Sequence, residues 1–338
     1  MPNLMIRHSK RRFFAGAMLY IAAGAGSATE GTDKLPLVLI ADVPLPGDTS
    51  RFDYESYDAS RHLLFVAHLG ASEVLAFDTQ KQAVVARVPA NHVHGVLAVP
   101  ELGKVYASAT GSNEVVVIDD ATYRVEARIP GGIYPDGMAY APEVHKLYVS
   151  DEHGDSDTVI DVKSNTRIAT IPLGGEVGNT QYDAGSKHIF ANVQTRGQLA
   201  EIDPVTDRVV ARIDLPGTKG NHGLLIDSAS RRAYIACEGN ARLLVLDLET
   251  RRIVETFEVG ENPDVLALDS DRHLLYVAGE AGVVTMFSTA GGKTAKVGEG
   301  LLGPNAHVVA VDTATHRVYF PLKNLGGKPV LRIMAPKS

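Results

Sequence analysis

The chain has 338 residues, 45% of them hydrophobic but only 6% aromatic and none Trp, and a formal net charge of −7. That composition can bury one large core and fits neither a membrane-embedded nor a disordered chain. Acids and bases are interleaved without a basic block, so nothing supports nucleic-acid binding, which requires clustered Lys and Arg to neutralise phosphates.

The first 28 residues read as an export signal. Basic Arg7, Lys10, Arg11 and Arg12 precede an apolar stretch from Phe13 to Ala25, and the small residues Gly26, Ser27 and Ala28 come before acidic Glu30. Cleavage is expected after Ala28. The apolar run is about a dozen residues, whereas a bilayer-spanning helix needs about 20, so it is a signal and not an anchor. The Arg11-Arg12-Phe13-Phe14 run also resembles a twin-arginine signal, which would export an already folded chain. The expected location is the periplasm or outside the cell. A lone Cys237 excludes an intrachain disulfide, so burial and sheet pairing must hold the fold.

From residue 37 onward the chain is a repeat. Seven segments share one order: an apolar run, a polar turn, an aromatic-valine strand, a Gly/Ser/Asn turn, an apolar strand ending in Asp, and a further strand. The aromatics Phe65, Tyr106, Tyr148, Phe190, Tyr234, Tyr276 and Tyr319 mark the register, with separations of 41, 42, 42, 44, 42 and 43 residues. Runs such as Lys104-Val105-Tyr106-Ala107 and Val115-Val116-Val117-Ile118 are short, apolar and β-branched, as strands require. After the third strand, Asp78, Asp119, Asp161, Asp203 and Asp247 stand where a carboxylate can accept backbone N–H bonds and start a tight turn, a structural role.

The seventh repeat lacks a convincing fourth strand. Leu39 to Gly47 supplies it, because that stretch matches the fourth strand of another repeat, Val209 to Gly217. A propeller ring closes when one terminus completes the blade begun by the other, which removes an exposed edge. The sequence therefore predicts an all-β fold, a single seven-bladed β-propeller over residues 37–338, closed by an N-terminal strand that completes the last blade.

The strand-turn-strand unit, seen in Leu147-Tyr148-Val149-Ser150 and in Val105-Tyr106-Ala107-Ser108 through Asp119, resembles the YVTN-repeat β-propeller family of exported bacterial and archaeal proteins. The resemblance covers essentially the whole mature chain and implies the fold; it says little about function, since that family includes binding proteins, surface proteins and relatives of enzymes.

In such a ring the first strand of each blade lines the channel, and the 12 histidines sort by their place on the blade. His62, His145, His273 and His316 each precede the aromatic by three residues, with Arg231 in the same column and Lys187-His188 beside it, and are read as turn residues of the opposite face. Counting back from each aromatic to the start of the channel-lining strand gives Asp53, His94, Asp136, Gly178, His222, Asp264 and His307. His92 lies two residues before His94 and is expected on the same side of the strand. From the turn after the second strand, His68, Asp151, Glu152, His153, Cys237, Glu238 and Glu280 are expected at the same end of the ring.

Imidazoles and carboxylates converging on a concave mouth can bind a divalent cation or act as acid and base on a small ligand. The expected metal ligands are His94, His222, His307, Asp53 and Asp136, and the expected catalytic groups are His222, His307 and Asp264. Three His ligands suit Zn or Cu, and a mixture with carboxylates also admits Fe or Mn. The opposing reading is a solvated channel rim in which His94-Gly95, Asp136-Gly137 and His222-Gly223 reflect turn chemistry. Cys237 could be a soft ligand or a small buried hydrophobe.

No phosphate-cradling Gly loop opens a helix, no Gly-x-Ser-x-Gly elbow appears and no Cys-x-x-Cys-His haem site exists; Gly111-Ser112 and Gly291-Gly292 are blade turns. Nucleotide, flavin and haem are therefore not expected. Three functions fit: a periplasmic propeller binding a small-molecule or metal ligand at the mouth, a metal-dependent lyase or lactonase-like hydrolase using the same groups, or a scaffold for a protein partner. The chain is read as a monomer.

Overall fold

The computed structural model describes residues 35–337, and the export-signal reading of residues 1–28 lies outside the described residues. Seven four-stranded antiparallel sheets follow one another along the chain. Blade 1 covers residues 55–89, and the six that follow repeat its up-and-down order, inner strand first. The last blade is composite: Leu37–Pro44 pairs antiparallel with Lys328–Pro336 and forms its outermost strand, as the repeat count requires. A fork-to-fork pair between Arg332 and Asp42, both bonds 2.8 Å, fixes that closing strand.

The interior is divided into seven apolar clusters, each built from two adjacent blades. The cluster between blades 2 and 3, for example, packs Tyr106, Val115 and Val117 against Leu147, Val149 and Ile160. All seven register-marking aromatics are buried within these clusters. Burying such a ring contributes about 1.5–3 kcal/mol, and repeating it in every blade ties each sheet to its neighbour.

The turn aspartates behave as expected. Asp78, for instance, accepts N–H bonds from Gln80 at 3.0 Å and Lys81 at 2.8 Å. The opposite-face column is a backbone device: His62, His145, Lys187, Arg231, His273 and His316, with Gly103, all have φ between 53° and 63°. In that left-handed conformation the carbonyls of His62, Gly103, His145, Arg231 and His273 accept from the residue that follows the third strand, as in Thr79 N–H to His62 O at 2.9 Å and Thr289 N–H to His273 O at 2.8 Å.

One local irregularity prepares the site. In blades 2 to 6 the pairing of the inner strand with its neighbour slips over the same two positions: between Val93 and Val96, Pro135 and Met138, Val177 and Thr180, Asn221 and Leu224, and Pro263 and Leu266. A bulge leaves its residues unpaired and re-aims their side chains. His94, Asp136, Gly178, His222 and Asp264 sit inside these slips. In blades 1 and 7 the inner ladder starts late, at Glu55 and Ala310, so Asp53 and His307 precede it, Asp53 keeping a single bond from its N–H to the Ala67 carbonyl at 2.8 Å.

The glycines after these residues correct the sequence reading. Gly95, Gly137 and Gly223 do not have positive φ, so turn chemistry does not explain them. They are small because the next blade's inner strand passes against them: a Cβ on Gly95 would lie 2.1 Å from Asp136 O, and one on Gly223 1.9 Å from Asp264 O.

Candidate functional site

The seven positions twelve residues before each blade aromatic form the floor of a cavity of about 460 Å³ at one end of the channel. Asp53, His94, Asp136, His222 and Asp264 line it. Gly178 contributes no side chain, and His307 lies behind Asp264, fully buried, with Nε2 3.8 Å from Asp264 Oδ2. The wall comes from the position four residues after the aromatic in five blades: Leu69, Thr110, Glu152, Glu238 and Glu280, of which Thr110, Glu152 and Glu238 open short 3-10 turns.

The other expected mouth residues are elsewhere. His68 is fully buried and stacks on Phe52 with ring centres 4.1 Å apart. Asp151 is buried and accepts from Thr158 Oγ1 and from the Gly132 N–H, a structural role. Cys237 packs inside the apolar cluster between blades 4 and 5, so the hydrophobe reading holds. His153 points outward beside Glu176, 3.5 Å away. His92 does reach the cavity, but as a left-handed turn residue with φ 45° rather than as a strand residue.

Five cavity residues escaped the sequence reading: Arg51, Tyr54, Leu69, Thr110 and Tyr134. Arg51 and Tyr134 share with His92 the position two before the floor residue, so a second column shifted by two would have revealed them.

The imidazoles are in two states. His94 Nδ1 lies 3.1 Å from the His92 carbonyl, so it must donate there, and its Nε2 accepts from the Tyr134 hydroxyl at 3.0 Å. Burial holds its pKa below the usual value, which keeps it in that neutral tautomer. His222 is different: burial would lower its pKa, but the carboxylates of Glu238, Asp136, Glu152 and Asp53 outweigh that and raise it. Its Nε2 faces Tyr54 Oη at 3.2 Å, Asp264 Oδ1 at 3.6 Å and Asp136 Oδ2 at 3.9 Å.

The floor is overloaded with acid. Burial, reinforced by the neighbouring Asp53 carboxylate, pushes Asp136 and Asp264 well above the usual carboxyl range, and burial also raises Glu238. Asp53 Oδ2, Asp136 Oδ1 and Asp264 Oδ1 are buried without a hydrogen-bond partner. Buried carboxylates crowded without donors favour protonation or a cation between them.

Two groups at the mouth place three ligating atoms within 4.8 Å of one another: His222, Glu238 and Asp264, and Asp264, Glu280 and His307. Clusters of His, Asp and Glu here could therefore hold a metal ion. The donor set is one imidazole with two carboxylates in each group, not the three imidazoles His94, His222 and His307 together. Both nitrogens of His94 are already engaged, and Asp53 and Asp136 complete neither group.

Fold and site together define a seven-bladed β-propeller with an acidic, histidine-bearing channel mouth. No family model matches the chain. It is similar to the uncharacterized protein YncE of Salmonella typhimurium and to that of Salmonella typhi, each 26% identical over 189 residues that cover 52% of this chain and 50% of the relative. The chain thus spans about half the length of the curated relatives it matches. Among solved structures it resembles hydrazine synthase of Kuenenia stuttgartiensis, with a TM-score of 0.71 and 15% identity over 87% of this chain and 97% of that one, a likeness of fold alone. Among the described residues no helix is long and apolar enough to cross a membrane.

Proposed function

We propose that this is an exported, periplasmic propeller of the YVTN-repeat kind that binds a small ligand through one divalent metal ion at the channel mouth. His222, Glu238 and Asp264 are the protein donors, and the remaining coordination positions face the cavity and are left for the ligand. The observation that carries this reading is the pair of buried carboxylate oxygens, Asp136 Oδ1 and Asp264 Oδ1, that have no hydrogen-bond partner and lie on carboxylates facing one imidazole. A cation relieves their mutual repulsion and the cost of their burial at once. One imidazole with two carboxylates suits Zn, Mn or Fe(II) better than Cu.

The carboxylates around His222 raise its pKa, so metal and proton compete for its imidazole and affinity should increase with pH. Calorimetric titration of metal-free protein with Zn2+ or Mn2+ tests the reading. The expected result is about one ion per chain with proton release, and a loss of affinity of about 100-fold or more in His222→Ala. Wild-type protein that takes up neither ion overturns it.

A second reading is favoured by the same upward shifts: burial raises Asp264 and the surrounding carboxylates raise His222, which makes the facing pair suited to exchange a proton with a bound ligand as acid and base. In that case His222→Ala abolishes turnover of a lactone panel with little change in melting temperature.

A further inference from the structure

The two ligand groups at the mouth share Asp264, and they share it through different oxygens. Oδ1 faces His222 Nε2 at 3.6 Å, and Oδ2 faces His307 Nε2 at 3.8 Å. A carboxylate that presents one oxygen to each of two donor sets has the placement of a bridging ligand in two-metal centres.

The second group is not empty of charge. The Arg51 guanidinium lies across it, with Nη1 paired to Glu280 Oε1, Nη2 4.0 Å from Asp264 Oδ2, and Nε 3.3 Å from Asp53 Oδ2. Arg51 thus covers two of the three donors of that group. The third, His307, is fully buried; its Nδ1 donates to the Asn305 carbonyl at 3.0 Å, and its Nε2 has no hydrogen-bond partner. That bare nitrogen points at a carboxylate oxygen too distant for a hydrogen bond, an arrangement suited to a cation and not to a neutral neighbour. Arg51 reaches the site from the segment just before the blade 1 ladder, on a side chain that is 38% exposed.

We propose that Arg51 is a tethered cation occupying a second metal site made of Asp264, Glu280 and His307, and that it limits the mouth to one exchangeable ion. Removing the guanidinium opens a two-metal centre bridged by Asp264. This rests on the metal reading of the first group, His222, Glu238 and Asp264, and gives that reading its stoichiometry. A guanidinium and a divalent ion cannot share these oxygens, because both are cations competing for the same lone pairs.

The test counts Mn2+ and Zn2+ per chain in the full-length protein after equilibrium dialysis, with electron paramagnetic resonance of the Mn2+ form. Wild type should hold one ion with an uncoupled Mn2+ spectrum. Arg51→Met should hold two, with a spectrum showing exchange between neighbouring ions, and the double variant Arg51→Met/His307→Ala should return to one. Arg51→Lys, which keeps a cation, should stay at one, and neutral Arg51→Gln should behave like Arg51→Met if the latter folds poorly. One ion in both neutral variants, or two in wild type, overturns the proposal while leaving the first site standing. No ion in wild type overturns the metal reading. In that event an ion gained by Arg51→Met and lost with His307→Ala would still establish the second site alone.

Discussion

The two ends of this ring use the same residue type for opposite purposes. Four histidines of one column, His62, His145, His273 and His316, adopt left-handed backbone conformations shared by Arg231, Lys187 and Gly103, and at His62, His145 and His273, as at Arg231 and Gly103, the fold takes the carbonyl from that position. At the mouth, His94, His222 and His307 are released from the strand ladder, and what the fold delivers is the imidazole. A recurring residue in a repeat is therefore read through its backbone first: the left-handed turn is what the column shares, and side-chain bonds such as His316 to Asp269 are additions in single blades.

The sharpest way to break that comparison is at Gly223. A Cβ there would meet Asp264 O at 1.9 Å, Leu266 Cδ1 at 2.8 Å and Ala236 Cβ at 3.0 Å, so Gly223→Ala must push two inner strands apart. The expected cost is about 2–3 kcal/mol with loss of metal uptake, measured by chemical denaturation and titration; an unchanged mouth would refute the close-approach account.

A smaller effect comes from pH. Asp136, Asp264 and His222 all have folded pKa values above their unfolded ones, so the folded metal-free chain holds extra protons. Their stabilising contribution is complete below the unfolded values and is lost as pH rises through the folded ones. His94 and His307 have depressed pKa values, and their opposite contribution fades below about pH 6.5. The melting temperature of metal-free protein should accordingly fall as pH rises above the ordinary imidazole value of about 6.5, and Zn2+ or Asp264→Asn should flatten the decline. A melting temperature that rises over that interval contradicts the acid-crowding account.

At the opposite end, His316→Ala removes the Nδ1 bond to Asp269 Oδ2 at 2.8 Å. Partial exposure of the ring limits the loss to about 1 kcal/mol, or roughly 2–4 °C in melting temperature, and metal affinity should stay unchanged. Smallest of all is His273→Gly. It relieves a φ of 53° at the entropic cost of glycine, so a change within about 1 kcal/mol is expected, in the stabilising direction. A loss of metal binding in either variant would erase the distinction between the two ends.

The architecture was fully legible, because one buried aromatic per blade fixes the register and a missing last strand has one visible replacement. The floor of the mouth was legible for the same reason: ring symmetry turns a constant offset from that aromatic into a shared position. What differed from expectation was local. His92 and Tyr134 sit on left-handed turn residues, where strand alternation does not apply, and Arg51 comes from a segment before the blade 1 ladder begins. Gly95, Gly137 and Gly223 look like turn residues in sequence, since close approach between strands leaves no mark on the segment that bears them. The division of labour between His94, already engaged on both nitrogens, and His222 depends on neighbours from other blades, which no spacing along one strand could reveal.

The composite last blade also dictates when the molecule can become whole. Leu37–Pro44 must find Lys328–Pro336 almost three hundred residues later, a closure worth about 5 kcal/mol in chain entropy before any contact repays it. Every other blade can form from neighbouring sequence, so an incomplete chain is an open crescent with its final sheet lacking a border strand. The mouth takes donors from blades 5, 6 and 7 and a guanidinium from just ahead of blade 1, straddling that seam. The placement of Arg51 beside Glu280 and His307 is thereby tied to completion of the circle, whereas His222, Glu238 and Asp264, all from blades 5 and 6, can come together in a chain whose last blade is still open.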